Sequence, residues 1–210
     1  MREPLAEYVR DHYGEDPVLI ACGLPASNKT ETMEVVSRVK GYPILRTDII
    51  RKDVLKHEEI FDVKQAASVE KRQRVYDEMF RRAGETVASG TGVILDATFA
   101  KRSLRYRAAQ VAAERGKVLI IQQTSCTQEY ALEKISKRTA ENYESNALTD
   151  EAYFNIKGEF EPVDLDDLRS QFPDLEIIHV TVDTNSDMED DWFVIDRVDR
   201  GPLHDSARKE

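Results

Sequence analysis

Apolar residues along the chain fall into two alternating patterns, short continuous runs and stripes at helical spacing. Val18-Leu19-Ile20-Ala21-Cys22, Val93-Ile94-Leu95 and Val118-Leu119-Ile120-Ile121 are wholly apolar and of strand length. Such runs suit parallel strands covered on both faces. Ile44-Leu45-Arg46-Thr47 reads as a shorter strand, and Leu175-Glu176-Ile177-Ile178-His179-Val180-Thr181-Val182 as a fifth. Between the runs lie amphipathic stripes. Residues 3–13 carry Leu5, Tyr8, Val9 and Tyr13, and the stretch after residue 30 carries Met33, Val36 and Val39. Val69 to Ala88 is the longest helix predicted, with Val75, Met79, Ala83 and Val87 four apart and Ser89-Gly90-Thr91-Gly92 as its stop. Helices are also expected over Ile49 to Lys56, Ser103 to Arg115, Gln128 to Ala140 and Asp150 to Phe160. His57 to Gln65 and residues 141–147 read as loop and turn, and the last ten residues as a frayed end. Strands alternating with helices predict one α/β domain with a mostly parallel five-stranded sheet over residues 1–182. Residues 183–210 are expected to be an acidic linker and tail, with 192–195 as a strand or packing anchor.

Length and composition narrow the class without changing this picture. The chain has 210 residues, enough for one domain with a sizeable core, and 33% of them are charged. The net charge of −10 disfavours non-specific attachment to nucleic acid or acidic membrane. No apolar run approaches the roughly 20 residues needed to span a bilayer, and the N-terminus has no signal core. Cys22 and Cys126 form neither a disulfide framework nor a zinc spacing, so both read as small buried hydrophobes in a reducing cytoplasm. None of the four histidines has metal-ligand spacing.

The candidate chemistry begins where the first strand ends. Gly23-Leu24-Pro25-Ala26-Ser27-Asn28-Lys29-Thr30 follows Cys22 and precedes a helical stripe, the context of a phosphate-binding loop. Gly23, Lys29 and Thr30 keep the spacing of that motif, while Asn28 stands where its second glycine belongs. Loop amides and the helix start would cradle phosphates, Lys29 would reach the β- and γ-phosphates, and Thr30 would ligate Mg²⁺. A side chain at residue 28 is expected to crowd the nucleotide, although asparagine tolerates the positive φ the turn needs.

Two other strands end in acids. Asp96 closes Val93-Ile94-Leu95 as a metal-holding carboxylate or as a cap on the following turn. Asp48, with Arg51 one helical turn later, is either an acceptor-side base with a positioning arginine or a helix N-cap with an exposed ion pair. Lys134, Lys137 and Arg138 crowd one helix end before residues 139–146, as phosphate-facing cations or as a basic C-terminus. Lys101, Arg102, Arg105 and Arg107 follow Asp96, to grip an anionic acceptor or to form a solvated helix face.

With these motifs placed, the chain resembles P-loop kinases of the AAA_33 predicted-kinase type. That group is related to the kinase domain of polynucleotide 5′-hydroxyl kinases and to zeta-toxin and gluconate kinases. The resemblance rests on residues 23–27, on Thr47-Asp48-Ile49-Ile50-Arg51-Lys52, on the Asp96 segment with Arg102 and Arg105, and on Glu159-Phe160-Glu161-Pro162. It implies a three-layer sandwich with strand order 2-3-1-4-5, a lid over about residues 134–160, ATP and Mg²⁺ as cofactors, and phosphoryl transfer to a hydroxyl. By position, Asp48 resembles the general base, Arg51 an acceptor contact and Arg138 the lid arginine. The acceptor is a small metabolite or a polynucleotide 5′-end, and the negative net charge tilts the choice to the metabolite. The rival reading is a nucleotide-binding regulator or inactive kinase homologue, motivated by Asn28.

Overall fold

The computed structural model of the chain describes residues 1–55, 69–137 and 149–203. Arg138, the loop expected over 57–65, the turn over 141–147 and residues 204–210 lie outside them. The elements are β1 (Glu3–Pro4), α1 (Leu5–His12), β2 (Val18–Cys22), α2 (Lys29–Lys40), β3 (Ile44–Arg46), α3 (Thr47–Val54), α4 (Val69–Ala88) and β4 (Val93–Asp96). They continue as α5 (Arg102–Glu114), β5 (Leu119–Ser125), α6 (Gln128–Ser136), α7 (Asp150–Glu159), α8 (Leu165–Gln171), β6 (Ile177–Asp183) and β7 (Phe193–Arg200). A single 3₁₀ turn, Glu189–Asp191, precedes β7.

Pairing explains why the apolar runs are continuous. β2 is hydrogen-bonded in parallel to β4 on one side and β5 on the other, with β3 beyond β4 and β6 beyond β5. Alternate residues of β2 then enter two separate cores. Val18, Ile20 and Cys22 pack with Val75, Met79, Ala83 and Val87 of α4 and with Ala108, Ala109 and Ala112 of α5. Leu19 and Ala21 pack with Tyr8 and Val9 of α1 and with Met33, Val35 and Val36 of α2. Helices cover both faces, so no strand residue of β2 reaches water and all five are buried.

The sheet is wider than the five strands expected. It has seven strands in the order β1-β7-β6-β5-β2-β4-β3, and it is mixed because β7 runs antiparallel to β6 and β1 antiparallel to β7. The segment expected to be an acidic linker and tail thus supplies a sheet strand. Without it, the outer edge of β6 would present unpaired backbone groups. Residues 192–195 were expected as a strand or packing anchor, but the polar residues that follow, among them Asp196, Arg197, Asp199 and Arg200, masked the rest of the strand in sequence. Trp192 just before it is 4% exposed, donates from Nε1 to the Ser186 carbonyl at 2.9 Å, and accepts Leu5 N–H at 2.9 Å. Helix α8 was not anticipated at all. Its N-cap Asp164 accepts two amides, and Leu165 and Leu168 enter the α4–α5 core.

This integration is testable. Trp192→Ala is expected to lower unfolding stability by about 3–5 kcal/mol, as for other buried aromatics. Met188→Ala, 63% exposed in the same segment, is expected to stay within about 0.5 kcal/mol. Urea unfolding measures both. A neutral Trp192 variant would mean that the segment hangs free of the domain.

Candidate active site

The carboxyl end of β2 places a loop between its two neighbours. Gly23 has φ +139°, and a Cβ there would lie 2.5 Å from Thr124 Oγ1 and 2.9 Å from the Thr124 carbonyl oxygen, so β5 packs directly on a bare backbone. Ala26 and Asn28 adopt left-handed φ values of 59° and 57°, which bend the chain back toward α2. Ser27 braces the turn: its hydroxyl donates to the Leu24 carbonyl at 2.7 Å and shares a 2.6 Å hydrogen bond with Thr124 Oγ1. Lys29 opens α2 and folds over the loop, Nζ donating to the Leu24 carbonyl at 2.6 Å.

Parallel register brings the acids to the same rim. Asp96, the last residue of β4, accepts the Thr30 hydroxyl at 2.8 Å. Its carboxylate is 8% exposed. Burial pushes its pKa up, against the Thr30 hydrogen bond and the charges of Lys29 and Arg46, which pull it down. Arg46 stands opposite Asp96 in the β3–β4 register, with Nε 3.6 Å from Asp96 Oδ2 and Nη2 on Glu34. That Nε is buried without a hydrogen-bond partner among the described residues. The sequence reading passed over Arg46 as a strand residue; its place two residues before Asp48 is the signal it offered.

Asp48 lies in the first turn of α3 rather than at a strand end, because Thr47 already belongs to the helix. Arg46 holds the N-cap position, so the N-cap alternative for Asp48 falls away. The ion pair does form, at 2.8 Å between Arg51 Nη1 and Asp48 Oδ1. Lys29, Thr30, Asp96, Arg46, Asp48 and Arg51 line one cavity of about 730 Å³. Its far wall comes from Arg72, Gln73 and Tyr76 of α4 and from Ile156 and Glu159 of α7.

The other expected cations scatter. Lys101 lines the cavity, 3.4 Å from Glu159. Arg102 turns to Asp167 at 3.6 Å, and Arg107 to Asp77 at 2.7 Å. Arg105 is 1% exposed and cannot grip a substrate. Its guanidinium donates to the carbonyls of Phe99, Ala100, Glu161 and Pro162. It thereby clamps the turn after Asp96 to the Phe160-Glu161-Pro162 segment. Lys137 pairs with Glu133 at 2.6 Å on the surface. Lys134 reaches Asp187 at 3.0 Å and Asn28 Oδ1.

Asn28 itself is 2% exposed. Its amide nitrogen donates to the Ser186 carbonyl at 2.9 Å and lies 3.1 Å from both the Thr184 carbonyl and Tyr130 Oη. All these partners lie on the β5–β6 side of β2, whereas Asp96, Asp48 and Arg46 lie on the β4–β3 side. Tyr130, Thr184, Ser186 and Asp187 carried no motif in sequence and meet only through the fold.

The donor set suits a hard divalent cation. Thr30 Oγ1 and the Asp96 carboxylate are oxygen donors 2.8 Å apart, the ligand type that Mg²⁺ prefers. Among the described residues no cluster of three or more His, Cys, Asp or Glu could hold a metal.

Comparisons with known proteins agree with this fold. The AAA_33 family profile, "AAA domain", matches residues 18–163. A "putative kinase" from Chloroflexus aurantiacus J-10-fl superposes with TM-score 0.58 at 19% identity, over 82% of this chain and 90% of its own. A gluconokinase from Sinorhizobium meliloti 1021 gives 0.52 at 17%, over 81% and 83%. The AvrRxo1-ORF1:-ORF2 structure with ATP gives 0.57 at 16%, over 93% of this chain and 62% of that one. At these identities the likeness is one of fold. No curated protein matches the chain.

The buried carboxylate has a measurable consequence. A raised folded-state pKa means that stability falls as pH rises from the ordinary carboxylate range through the raised value. Asp96→Asn removes that charge while its amide oxygen still accepts from Thr30. It is expected to melt at a higher temperature than the parent at neutral pH without ligand, with the gap closing as pH falls toward about 4. Thermal melts across that range check it, and an equal or lower melting temperature at neutral pH contradicts it.

Proposed function

This chain belongs to the AAA_33 family, and from that premise we propose that it is an ATP-dependent P-loop kinase that transfers the γ-phosphate to a hydroxyl acceptor. One observation carries the reading: Lys29, Thr30, Asp96 and Asp48 open on a single cavity at the carboxyl ends of neighbouring strands. Ligands in open α/β sheets bind at that rim.

Each residue has a task set by its position. Lys29 and the loop amides hold the phosphates, and Lys29 exchanges the Leu24 carbonyl for a phosphate oxygen when nucleotide enters. Thr30 and Asp96 hold Mg²⁺, which neutralises phosphate charge. Asp48 accepts the proton of the attacking hydroxyl, and its ion pair with Arg51 fixes the carboxylate toward the acceptor side. Arg46 faces Asp96 and so balances its charge before metal and nucleotide arrive. Arg138, outside the described residues, is the lid cation of this reading. The barrier falls through positioning and fixed charge, without a covalent intermediate. A small metabolite is favoured over a polynucleotide end because the net charge is −10. Among the described residues no helix is long and apolar enough to cross a membrane, and both cysteines are unpaired, which supports a reducing cytoplasmic setting.

A screen of hydroxyl acceptors with labelled ATP–Mg²⁺ tests the proposal. Lys29→Ala is expected to lose about 10²–10³-fold in kcat/KM. Asp48→Asn is expected to lose at least about 10²-fold in kcat with the ATP KM little changed. Failure of the parent protein to bind ATP–Mg²⁺ by titration calorimetry would overturn the reading.

A further inference from the structure

The substitution that looks most damaging in sequence is among the best-anchored side chains in the fold. Glycine at this position supplies a left-handed turn and an empty side. Asn28 supplies the same turn, with φ 57° and ψ 28°. Its carboxamide also ties the turn to two other elements.

Every polar atom of the carboxamide is engaged. The nitrogen serves the carbonyls of Thr184 and Ser186 and the hydroxyl of Tyr130, and the oxygen accepts Lys134 Nζ. The partners are themselves linked: Tyr130 Oη donates to Asp187 at 2.6 Å, and Lys134 pairs with Asp187 at 3.0 Å. Thr184 fastens the neighbouring loop residue, its hydroxyl donating to the Ser27 carbonyl at 3.0 Å. The loop is therefore held to α6 and to the connection between β6 and β7.

What Asn28 does not do matters equally. Asparagine at an N-cap normally accepts an amide of the first helical turn. Here the side chain makes no cap bond to α2, although the Asn28 carbonyl accepts Thr32 N–H at 2.9 Å and starts the helix. The Asn28 side chain thus leaves the first-turn amides of α2 uncapped, and such a helix N-terminus is suited to an anion.

We propose that Asn28 is a positioning residue for nucleotide binding. It pre-forms the phosphate loop by bracing it from the β5–β6 side while keeping its side chain off the phosphate side. This inference rests on the kinase reading above, and it runs against the expectation that a side chain at residue 28 crowds the nucleotide. In Asn28→Gly the turn remains allowed, but the buried Thr184 carbonyl loses its Asn28 donor. Lys134 then keeps only Asp187 of the partners named here. The loop must be ordered by the nucleotide itself, which weakens binding.

Two measurements on the full chain test this. Amide hydrogen exchange without nucleotide is expected to be faster over residues 24–28 in Asn28→Gly than in the parent. Titration with ATP–Mg²⁺ is expected to show a Kd about tenfold weaker, on the scale of one or two hydrogen bonds. In a cycle with Lys134→Met, the double variant is expected to weaken ATP binding by less than the product of the two single effects. A purely structural role would lower the melting temperature while leaving Kd and loop exchange unchanged, and would overturn the inference. Equal or tighter ATP binding by Asn28→Gly would also overturn it, and would leave the kinase reading standing. No binding by either form would overturn the kinase reading and this inference together.

Discussion

The parallel pairing of β2 with β4 and β5 is the constraint on which the site depends. A strand hydrogen-bonded on both edges and buried on both faces has almost no freedom to shift. The loop leaving it is therefore aimed by the sheet rather than by its own composition. Thr124 on β5 packs against Gly23 and Ser27 from one side, while Asp96 on β4 takes the Thr30 hydroxyl from the other. The phosphate loop is thus gripped at both shoulders. Residues far apart in sequence, such as Thr30 and Asp96, meet because the register of β2 and β4 sets their strand ends level.

Charge at this rim is closely balanced. Asp96 is buried, and burial makes its ionised form unfavourable unless cations stand near. Arg46 at 3.6 Å and Lys29 provide them. Asp48 is matched by Arg51, and Lys101 by Glu159. A pocket of paired charges can exchange internal partners for the phosphates of a ligand without leaving a bare charge in a low-dielectric setting. Lys29 donates to a main-chain carbonyl, and the Arg46 Nε has an ion contact with Asp96 but no hydrogen bond among the described residues.

Part of this was legible residue by residue. The strands β2, β4 and β5 showed as apolar runs because each is covered on both faces, and α4 showed its stripe because Val75, Met79, Ala83 and Val87 share one core. Strand β7 was legible only at its start, where 192–195 read as a strand or packing anchor; beyond that its alternating Asp and Arg residues read as linker. Helix α8 is too short for a periodic signal. Arg105 shows the limit most clearly. In sequence it is one of four cations near a strand end, and nothing local distinguishes it from Arg102 or Arg107. Only the docking of Glu161 and Pro162 beside Phe99 creates the four carbonyls that bury it.

The sequence by itself determined the alternation of strands and helices, the loop with Lys29 and Thr30, and the acids at Asp48 and Asp96. These are local properties, set by hydrophobic period, turn chemistry and spacing. The tertiary structure decided which charges share a cavity, which arginine becomes a buried clamp, and which groups, from Tyr130 and Lys134 to Thr184 and Ser186, hold the Asn28 carboxamide. Those outcomes depend on which elements lie side by side, and pairing between distant strands leaves no mark within either one.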